Sequence, residues 1–101
     1  MIIITGSVTL KPERREEAIA LGLEHSQRSR TEPGCISHDC YITAGDPNRM
    51  HFFERWADAE AMKRHFAVPE SGAFIRAVGA MASTPPEIAI YTAEEVEGAP
   101  F

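Results

Sequence analysis

The sequence predicts an α+β domain with the element order β-α-β-β-α-β, the ferredoxin-like plan of a four-stranded antiparallel sheet with helices on one face. Three observations predict it. Strand-like alternation occupies residues 2–10, 35–43, 49–56 and 87–92. Helical patterns fill the first and third gaps between these segments. The second gap, Gly45-Asp46-Pro47-Asn48, has the composition of a turn, so the second and third strands are expected to form a hairpin.

The first half of the chain alternates and then becomes helical. One face of the first strand carries Ile2, Ile4, Val8 and Leu10. The other face carries hydroxyl groups, so this strand is expected to be buried on one side only. Lys11-Pro12 begins the helix, and Glu32-Pro33-Gly34 ends it, because proline restricts the residue before it and glycine permits a sharp turn. The helix presents an apolar stripe formed by Ala18, Leu21, Gly22 and His25.

The second half repeats this order after the hairpin. One face of the second strand is predicted to carry Ile36, His38, Cys40 and Ile42. One face of the third strand is predicted to carry Met50, Phe52, Glu54 and Trp56, with His51 and Phe53 on the other. Asp58 is a favourable N-cap for a helix over 59–66. Pro69 interrupts the helical pattern, so a separate helix over 70–81 is expected before the last strand.

Length and composition fit one small domain. The chain has 101 residues, 44% of them hydrophobic and 25% charged, which is ordinary for a globular protein. The net charge is −5 without a basic run, so nucleic acid is not an expected partner. No apolar stretch approaches the ~20 residues that a membrane span needs, so a membrane is not an expected partner either. Met1-Ile2-Ile3-Ile4 leads straight into a strand without a signal-peptide pattern, so the predicted location is cytoplasmic.

The two cysteines, Cys35 and Cys40, are predicted to be reduced thiols. On one regular strand they would point to opposite faces with Cα atoms about 16 Å apart, which is too far for a disulfide. Their spacing does not match a zinc motif. His38 shares a strand face with Cys40, but two candidate ligands without a third make a weak metal site. The sequence therefore predicts no bound metal ion.

Three residues near the end of the third strand each have a structural and a functional interpretation. Trp56 is either a core or interface aromatic or a surface on which a flat ligand stacks. Glu54 is expected to form an ion pair with an arginine or a hydrogen bond with His65, because an unpaired carboxylate would be costly there. The candidate arginines are Arg49, Arg55, Arg64 and Arg76. His65 either caps the end of its helix or faces a substrate as a base.

Over nearly its whole length the chain resembles the antibiotic biosynthesis monooxygenase family. The family pattern has an E-P-G-C-type turn, a strand ending in E-x-W, and a histidine about nine residues beyond the tryptophan. Here these are Glu32-Pro33-Gly34-Cys35, Glu54 with Trp56, and His65. The resemblance covers roughly residues 1–95 and implies a ferredoxin-like domain that forms a dimeric α/β barrel. Residues 96–101, the end of an acidic segment, are expected to be a flexible or partner-contacting tail.

The resemblance implies oxidation of a small aromatic or quinol-type substrate by dioxygen without a cofactor. An electron-rich phenol can lose a proton and then give an electron directly to dioxygen. The protein therefore needs a base, an aromatic pocket and the exclusion of water. His65 is the expected catalytic residue. The expected substrate-binding residues are Trp56, Phe52, Glu54, His38 and Met62.

Two other functions stay open, because one scaffold can host several chemistries. One is a non-catalytic dimeric domain for small-molecule binding or stress response, which would have a pocket filled by large apolar side chains. The other is an isomerase of a small phosphorylated metabolite, which would need an arginine pair beside the pocket. Haem degradation is not expected. Ser7, His65 and Val78 stand where the haem-degrading relatives carry an Asn, a Trp and a haem-ligating His.

Besides a small aromatic molecule, the expected partner is a second copy of the chain. A sheet with helices on one face leaves its other face bare, and these strands carry apolar residues on both faces. Ile3, Tyr41, Phe53 and Tyr91 are predicted to be buried sheet to sheet in a homodimer with twofold symmetry.

Overall fold

The elements follow the predicted α+β order, with the second helix divided in two. The computed structural model describes residues 1–100. Its first elements are strand β1 (Ile2–Thr9), a short 3-10 helix (Pro12–Arg14) and helix α1 (Arg15–Ser29). The hairpin of β2 (Cys35–Thr43) and β3 (Asp46–Trp56) follows. Helices α2 (Ala59–Ala67) and α3 (Pro69–Met81) and strand β4 (Glu87–Thr92) complete the chain. The strands form one antiparallel sheet in the order β2-β3-β1-β4, so the ferredoxin-like prediction is confirmed.

The helices cover the face of the sheet that the alternation in the first and third strands predicts. In β1, Ile2, Ile4 and Val8 are buried, and Leu10 continues this face beyond the strand. In β3, the four predicted residues Met50, Phe52, Glu54 and Trp56 are all buried. At one end of this layer the packing is entirely apolar. We call this cluster the apolar end: Val8, Leu10, Ala18, Met50, Phe52, Val78 and Met81.

Strand β2 departs from the predicted alternation, because one extra residue interrupts its pairing. Cys35 pairs with Trp56, whereas Ser37 already pairs with Arg55, so Ile36 forms a bulge. The prediction that Ile36 shares a face with His38 is therefore wrong, and Ile36 is 48% exposed. The same shift places both cysteines on the helix-covered face, not on opposite faces as predicted.

The two cysteines are free thiols, as predicted. Burial raises the pKa of the Cys40 thiol to about 11. This thiol is therefore protonated and unreactive at neutral pH, because the thiolate is the nucleophilic form.

Strand β3 begins three residues before its predicted start. The predicted turn residues Asp46, Pro47 and Asn48 belong to the strand, and only Ala44 and Gly45 form the turn. The backbone N–H of Leu10 donates to the carbonyl of Asn48 at 2.8 Å, so this segment is tied to the chain beyond β1. Long-range pairing of this kind outweighs the turn preference of the local composition.

The end of α2 and the start of α3 agree with the prediction. Oδ1 of Asp58 accepts a hydrogen bond from the N–H of Ala61 at 2.9 Å, so the predicted N-cap is confirmed. Val68 has an extended backbone and separates α2 from α3, which begins at Pro69. None of the helices within residues 1–100 combines the length and apolarity needed to cross a membrane.

The other face of the sheet carries exposed aromatic side chains. Tyr41, Phe53 and Tyr91 are 54%, 40% and 53% exposed in the single chain. Residues 93–100 contain no helix or strand. Phe101, the last residue of the predicted tail, lies outside the described residues.

Candidate functional site

At the opposite end of the helix-covered layer, three histidine rings from three different elements meet. His25 comes from α1, His38 from β2 and His65 from α2, and each is 5% exposed or less. The ring centroids of His25 and His38 are 4.9 Å apart. His65 lies 5.4 Å from His25 and 5.5 Å from His38. We call these three histidines together with Glu54 the polar end.

The carboxylate of Glu54 is the point on which this cluster converges. Nε1 of Trp56 donates to Oε1 of Glu54 at 3.0 Å. Nε2 of His38 and Nε2 of His65 lie 3.3 Å and 3.6 Å from the same oxygen. The predicted contact with His65 is thus present, and the alternative of an arginine partner is wrong. Arg55 bonds instead to Ser37 on the opposite face of the sheet.

Each histidine has its other ring nitrogen engaged by a neighbouring side chain. Nδ1 of His65 lies 2.9 Å from Oε1 of Glu32, and Nδ1 of His38 lies 2.9 Å from Oγ of Ser26. Nη2 of Arg28 donates to Nδ1 of His25 at 2.7 Å. Since these contacts occupy Nδ1 in all three rings, Nε2 is the nitrogen left for other chemistry.

Two glycines explain how distant residues reach this cluster. Gly34 has a φ of +82°, and a Cβ there would lie 2.5 Å from the Cβ of Ala61. The turn that contains Glu32 therefore packs directly on α2, which carries His65. A Cβ on Gly22 would lie 3.1 Å from Sγ of Cys40, so α1 also approaches β2 closely. One turn further along α1, His25 and Ser26 come within reach of His38.

Burial and contact set the charge of two groups in the polar end. Burial alone would raise the pKa of the Glu54 carboxyl, but its contacts with His38, Trp56 and His65 outweigh burial and lower the pKa. Burial is also the main reason why the pKa of His25 falls to about 3, with further lowering from the neighbouring His38, Arg28 and His65. At neutral pH Glu54 is therefore an anion and His25 is a neutral imidazole.

A partly open cavity of about 80 Å³ lies between the sheet and helices α2 and α3. Its wall is mostly aliphatic and aromatic, and His25, Glu54 and His65 contribute the imidazole and carboxylate groups of the polar end. Among the predicted binding residues, Phe52 and Glu54 line the cavity. Trp56, His38 and Met62 do not. Trp56 is fully buried and packs its ring 4.5 Å from that of His65.

His25 and Glu32 were not among the site residues predicted from the sequence. His25 appeared there only as a member of the apolar stripe of the first helix. Its place among apolar residues could have marked it as a candidate, because a buried polar side chain needs a hydrogen-bond partner. Glu32 appeared only in the turn motif, and its contact with His65 spans 33 residues of sequence.

Two curated relatives match most of the chain. The uncharacterised protein sll1783 of Synechocystis sp. is 35% identical over 96 residues, which covers 95% of this chain and 65% of that protein. The provisionally named monooxygenase YcnE of Bacillus subtilis is 35% identical over 65 residues, which covers 64% of this chain and 68% of YcnE. The chain thus spans about two thirds of the length of these relatives.

Solved structures share the fold over nearly the whole chain. A crystal structure from Deinococcus radiodurans, provisionally described as an antibiotic biosynthesis monooxygenase, has a TM-score of 0.91 at 25% identity and covers 98% of both chains. Rv0793 from Mycobacterium tuberculosis has a TM-score of 0.86 at 22% identity and covers 96% of this chain and 98% of its own. The family model for antibiotic biosynthesis monooxygenase matches residues 1–77, and the chain therefore belongs to that family.

Proposed function

We propose that this chain is a cofactor-independent monooxygenase that oxidises a small phenolic or quinol-type molecule with dioxygen. The observation that carries the proposal is the cavity wall, which sets His65, His25 and Glu54 among aromatic and aliphatic side chains. A flat substrate needs such a wall for binding, and deprotonation of its hydroxyl group needs such a base. Membership of the family supports the reaction class.

The wall offers aromatic surfaces for an aromatic ring. The rings of Phe52 and Phe74 both line the cavity and meet edge to face at 5.4 Å. Phe74 also stacks on His25 at 4.0 Å, which holds both rings in place. Phe66 and Ile75 are 37% and 43% exposed and lie on the same wall, so they mark its open side.

His65 is the base in this proposal, and Glu32 orients it. The carboxylate of Glu32 accepts a hydrogen bond from Nδ1–H of His65, which leaves the lone pair on Nε2. Nε2 then takes the hydroxyl proton of a substrate held in the cavity. The nearby Glu54 carboxylate, 3.6 Å from Nε2, stabilises the imidazolium that forms.

Once deprotonated, the substrate itself supplies the electrons. The anion gives one electron to dioxygen, and the resulting substrate radical and superoxide combine to form a carbon–oxygen bond. The peroxide anion then takes back the proton held by His65 and becomes a hydroperoxide. Where that carbon also bears hydrogen, the hydroperoxide loses water and leaves a carbonyl group. One oxygen atom of dioxygen enters the product and the other leaves as water, so no outside reductant is needed. The protein contributes binding, proton removal and a dry cavity.

In this proposal Trp56 and His38 are positioning residues. Trp56 binds the Glu54 carboxylate through its indole N–H and packs against the His65 ring. His38 contacts the same carboxylate from β2. Both hold the groups that face the cavity, and a ligand in the cavity does not touch either of them.

The phosphorylated-metabolite alternative has less support. The wall of the cavity, as far as residues 1–100 form it, includes no arginine or lysine. Arg49 bonds to Ser7 and Thr9, and Arg55 bonds to Ser37, so each of these guanidinium groups already has partners in the sheet.

The test is oxygen uptake by metal-stripped protein against a panel of hydroquinones and anthrones. We expect uptake above the spontaneous rate for one class, with label from ¹⁸O₂ in the product. His65→Ala should lower kcat by about 10²–10⁴, and His65→Gln should do the same while keeping most of the binding. His51→Gln is the matched control, since His51 bonds to Thr43 away from the cavity. Uptake equal to the spontaneous rate across the panel would favour a non-catalytic binding domain.

We also propose that the chain forms a homodimer through the open face of its sheet. The exposed rings of Tyr41, Phe53 and Tyr91 support this, because they stand on the face that no helix covers. Sedimentation at micromolar concentration should give twice the chain mass. A monomer at that concentration would contradict the proposal, and Phe53→Glu should weaken the dimer.

A further inference from the structure

One ring nitrogen of the polar end has no hydrogen-bond partner among the described residues. Nε2 of His38 is fully buried and has no hydrogen-bond partner. It faces Oε1 of Glu54 at 3.3 Å, and Nε2 of His65 faces the same oxygen at 3.6 Å. When Glu32 holds the proton of His65 on Nδ1, a lone pair and a carboxylate point at each other. A second proton on the ring or a bound cation between the two groups would relieve this contact.

The spacing of the rings suits a metal ion. One nitrogen from each of His25, His38 and His65 lies within 4.8 Å of one nitrogen from each of the others. Three imidazoles bound to one tetrahedral ion at ~2.0–2.1 Å have centroids about 5 Å apart. The observed centroid distances are 4.9, 5.4 and 5.5 Å. Around such an ion the nitrogens would lie about 3.4 Å apart, so the three rings would have to draw closer together on binding.

We propose that His25, His38 and His65, with Glu54 as a fourth ligand, form a binding site for a divalent transition-metal ion such as Zn²⁺ or Co²⁺. Three imidazole nitrogens and one carboxylate oxygen are ligands that these ions accept in tetrahedral geometry. The site does not depend on the proposed oxidation, because it follows from the arrangement of the four side chains.

The partners on Nδ1 are those that metal-binding histidines require. A ligating histidine commonly donates its other N–H to a carboxylate or another acceptor, which fixes the ring and makes the free nitrogen more basic. Glu32 is in that position for His65, and Oγ of Ser26 for His38. Ser26 is itself buried, so the surrounding packing restricts the position of its Oγ.

Arg28 opposes metal binding at the third histidine. Its Nη2 donates to Nδ1 of His25, so the proton of the neutral ring is on Nε2, the nitrogen that would bind the ion. Binding through all three rings therefore requires Arg28 to release Nδ1. Arg28→Gln replaces this donor with an amide oxygen that can accept the Nδ1 proton. This variant should bind the ion more tightly than the wild-type chain.

The experiment is metal binding to full-length protein that has been dialysed against a chelator and then against buffer. Titration with Co²⁺ should give one equivalent of tetrahedral visible absorption, and Zn²⁺ should displace it. Single changes to Gln at His38 or His65 should weaken binding by more than the ~10–100-fold typical of a lost second-shell partner. Glu32→Gln should fall within that smaller range. His51→Gln, a histidine outside the cluster, should bind like the wild type.

The outcomes separate this site from surface binding and from the proposed oxidation. Thermal melting without metal identifies any variant that fails to fold, and Arg28→Gln then provides a test by gain of affinity. Absence of one-equivalent binding, or equal loss in His51→Gln, would overturn the proposal. A bound ion occupies Nε2 of His65, so Zn²⁺ should inhibit oxygen uptake wherever that uptake exists. Metal binding without any oxidation would leave the site standing and refute only the oxidation.

Discussion

The two ends of the layer between the sheet and the helices use the same strands in opposite ways. At the apolar end, Val8, Leu10 and Met50 belong to one cluster with residues of α1 and α3, and every buried side chain of that cluster is hydrocarbon or thioether. At the polar end, two residues further along the same face of β3 from Phe52, Glu54 meets two histidines. On one face of β3, the apolar side chain of Phe52 is thus followed directly by the carboxylate of Glu54.

This difference indicates where stability and chemistry reside. Apolar burial is non-directional and contributes to folding wherever it occurs. A buried carboxylate and imidazoles contribute only while each polar atom has its partner, so they make the polar end sensitive to single atoms and to pH. The chain keeps such groups at the edge of a cavity, where a substrate or an ion can complete them.

Trp56 is fully buried and also contacts Glu54 and His65 of the polar end. Its replacement has the largest expected effect on stability. Trp56→Ala should lower the free energy of unfolding by about 3–5 kcal/mol, because the ring is fully buried. Leu10→Ala at the apolar end should cost about 2–5 kcal/mol and leave the polar end unchanged. Chemical denaturation measures both, and oxygen uptake or Co²⁺ binding should change only for Trp56→Ala.

Trp56→Phe is the control for this prediction. It keeps most of the packing but removes the N–H that donates to Glu54. A loss of about 1–3 kcal/mol is expected from the unsatisfied carboxylate. If Trp56→Ala instead left the melting temperature unchanged and abolished only ligand binding, the tryptophan would be a stacking surface and not part of the core.

The second prediction is that metal-free protein loses stability in acid through its polar end. The pKa values of His25 and Glu54 are both lower in the folded chain than their ordinary values of 6.5 and 4.5. The unfolded chain then binds more protons, so these contributions are present at neutral pH and are lost as the pH falls. For His25 the window runs from 6.5 down to about 3. The loss should reach about 2 kcal/mol by pH 5.

Urea unfolding at a series of pH values measures this slope. His25→Gln retains an acceptor for Arg28 but does not titrate, so it should flatten the curve between pH 6.5 and 5. Leu10→Ala should shift the whole curve downward without changing its slope. An unchanged slope in His25→Gln would show that the polar end is not the source of acid sensitivity.

The smallest effect on stability is expected at Gly6, on the floor of the cavity. A Cβ there would meet its nearest atoms at 3.8 Å, which is ordinary van der Waals contact. Gly6→Val should change the free energy of unfolding by no more than about 1 kcal/mol. It should, however, narrow the cavity and weaken binding of an aromatic ligand.

Binding and melting temperature should be measured together with Gly79→Ala as the control. Gly79 lies in α3 with open space beside it and does not line the cavity. Equal binding by Gly6→Val and the wild type would place the ligand site elsewhere.

The parts of the fold that sequence reasoning predicted correctly depend on nearby residues. The cap at Asp58, the break at Pro69 and the alternation of β1 are local patterns, and all three are present. The bulge at Ile36 and the early start of β3 depend on pairing with another strand, which a local pattern does not specify.

The site divides in the same way. The motif identified His65 and Glu54 because the chain itself keeps them near one strand end. His25 and Glu32 reach them only through close packing at Gly22 and Gly34, which depends on the tertiary structure. The burial of Trp56 could not be predicted from the sequence either, because a tryptophan that lines a pocket and one buried beneath it give the same sequence pattern.

The extended residue Val68, between α2 and α3, has a consequence for how this scaffold can diverge. His65 stands on one side of this break, whereas Phe74, Ile75 and Val78 line the cavity from the other side. A lineage can therefore exchange side chains on α3 to accommodate molecules of new shape without disturbing the helix that carries the imidazole. In the proposed reaction the base stands on α2 and most of the helical wall of the cavity on α3, so changes in α3 leave the base in place.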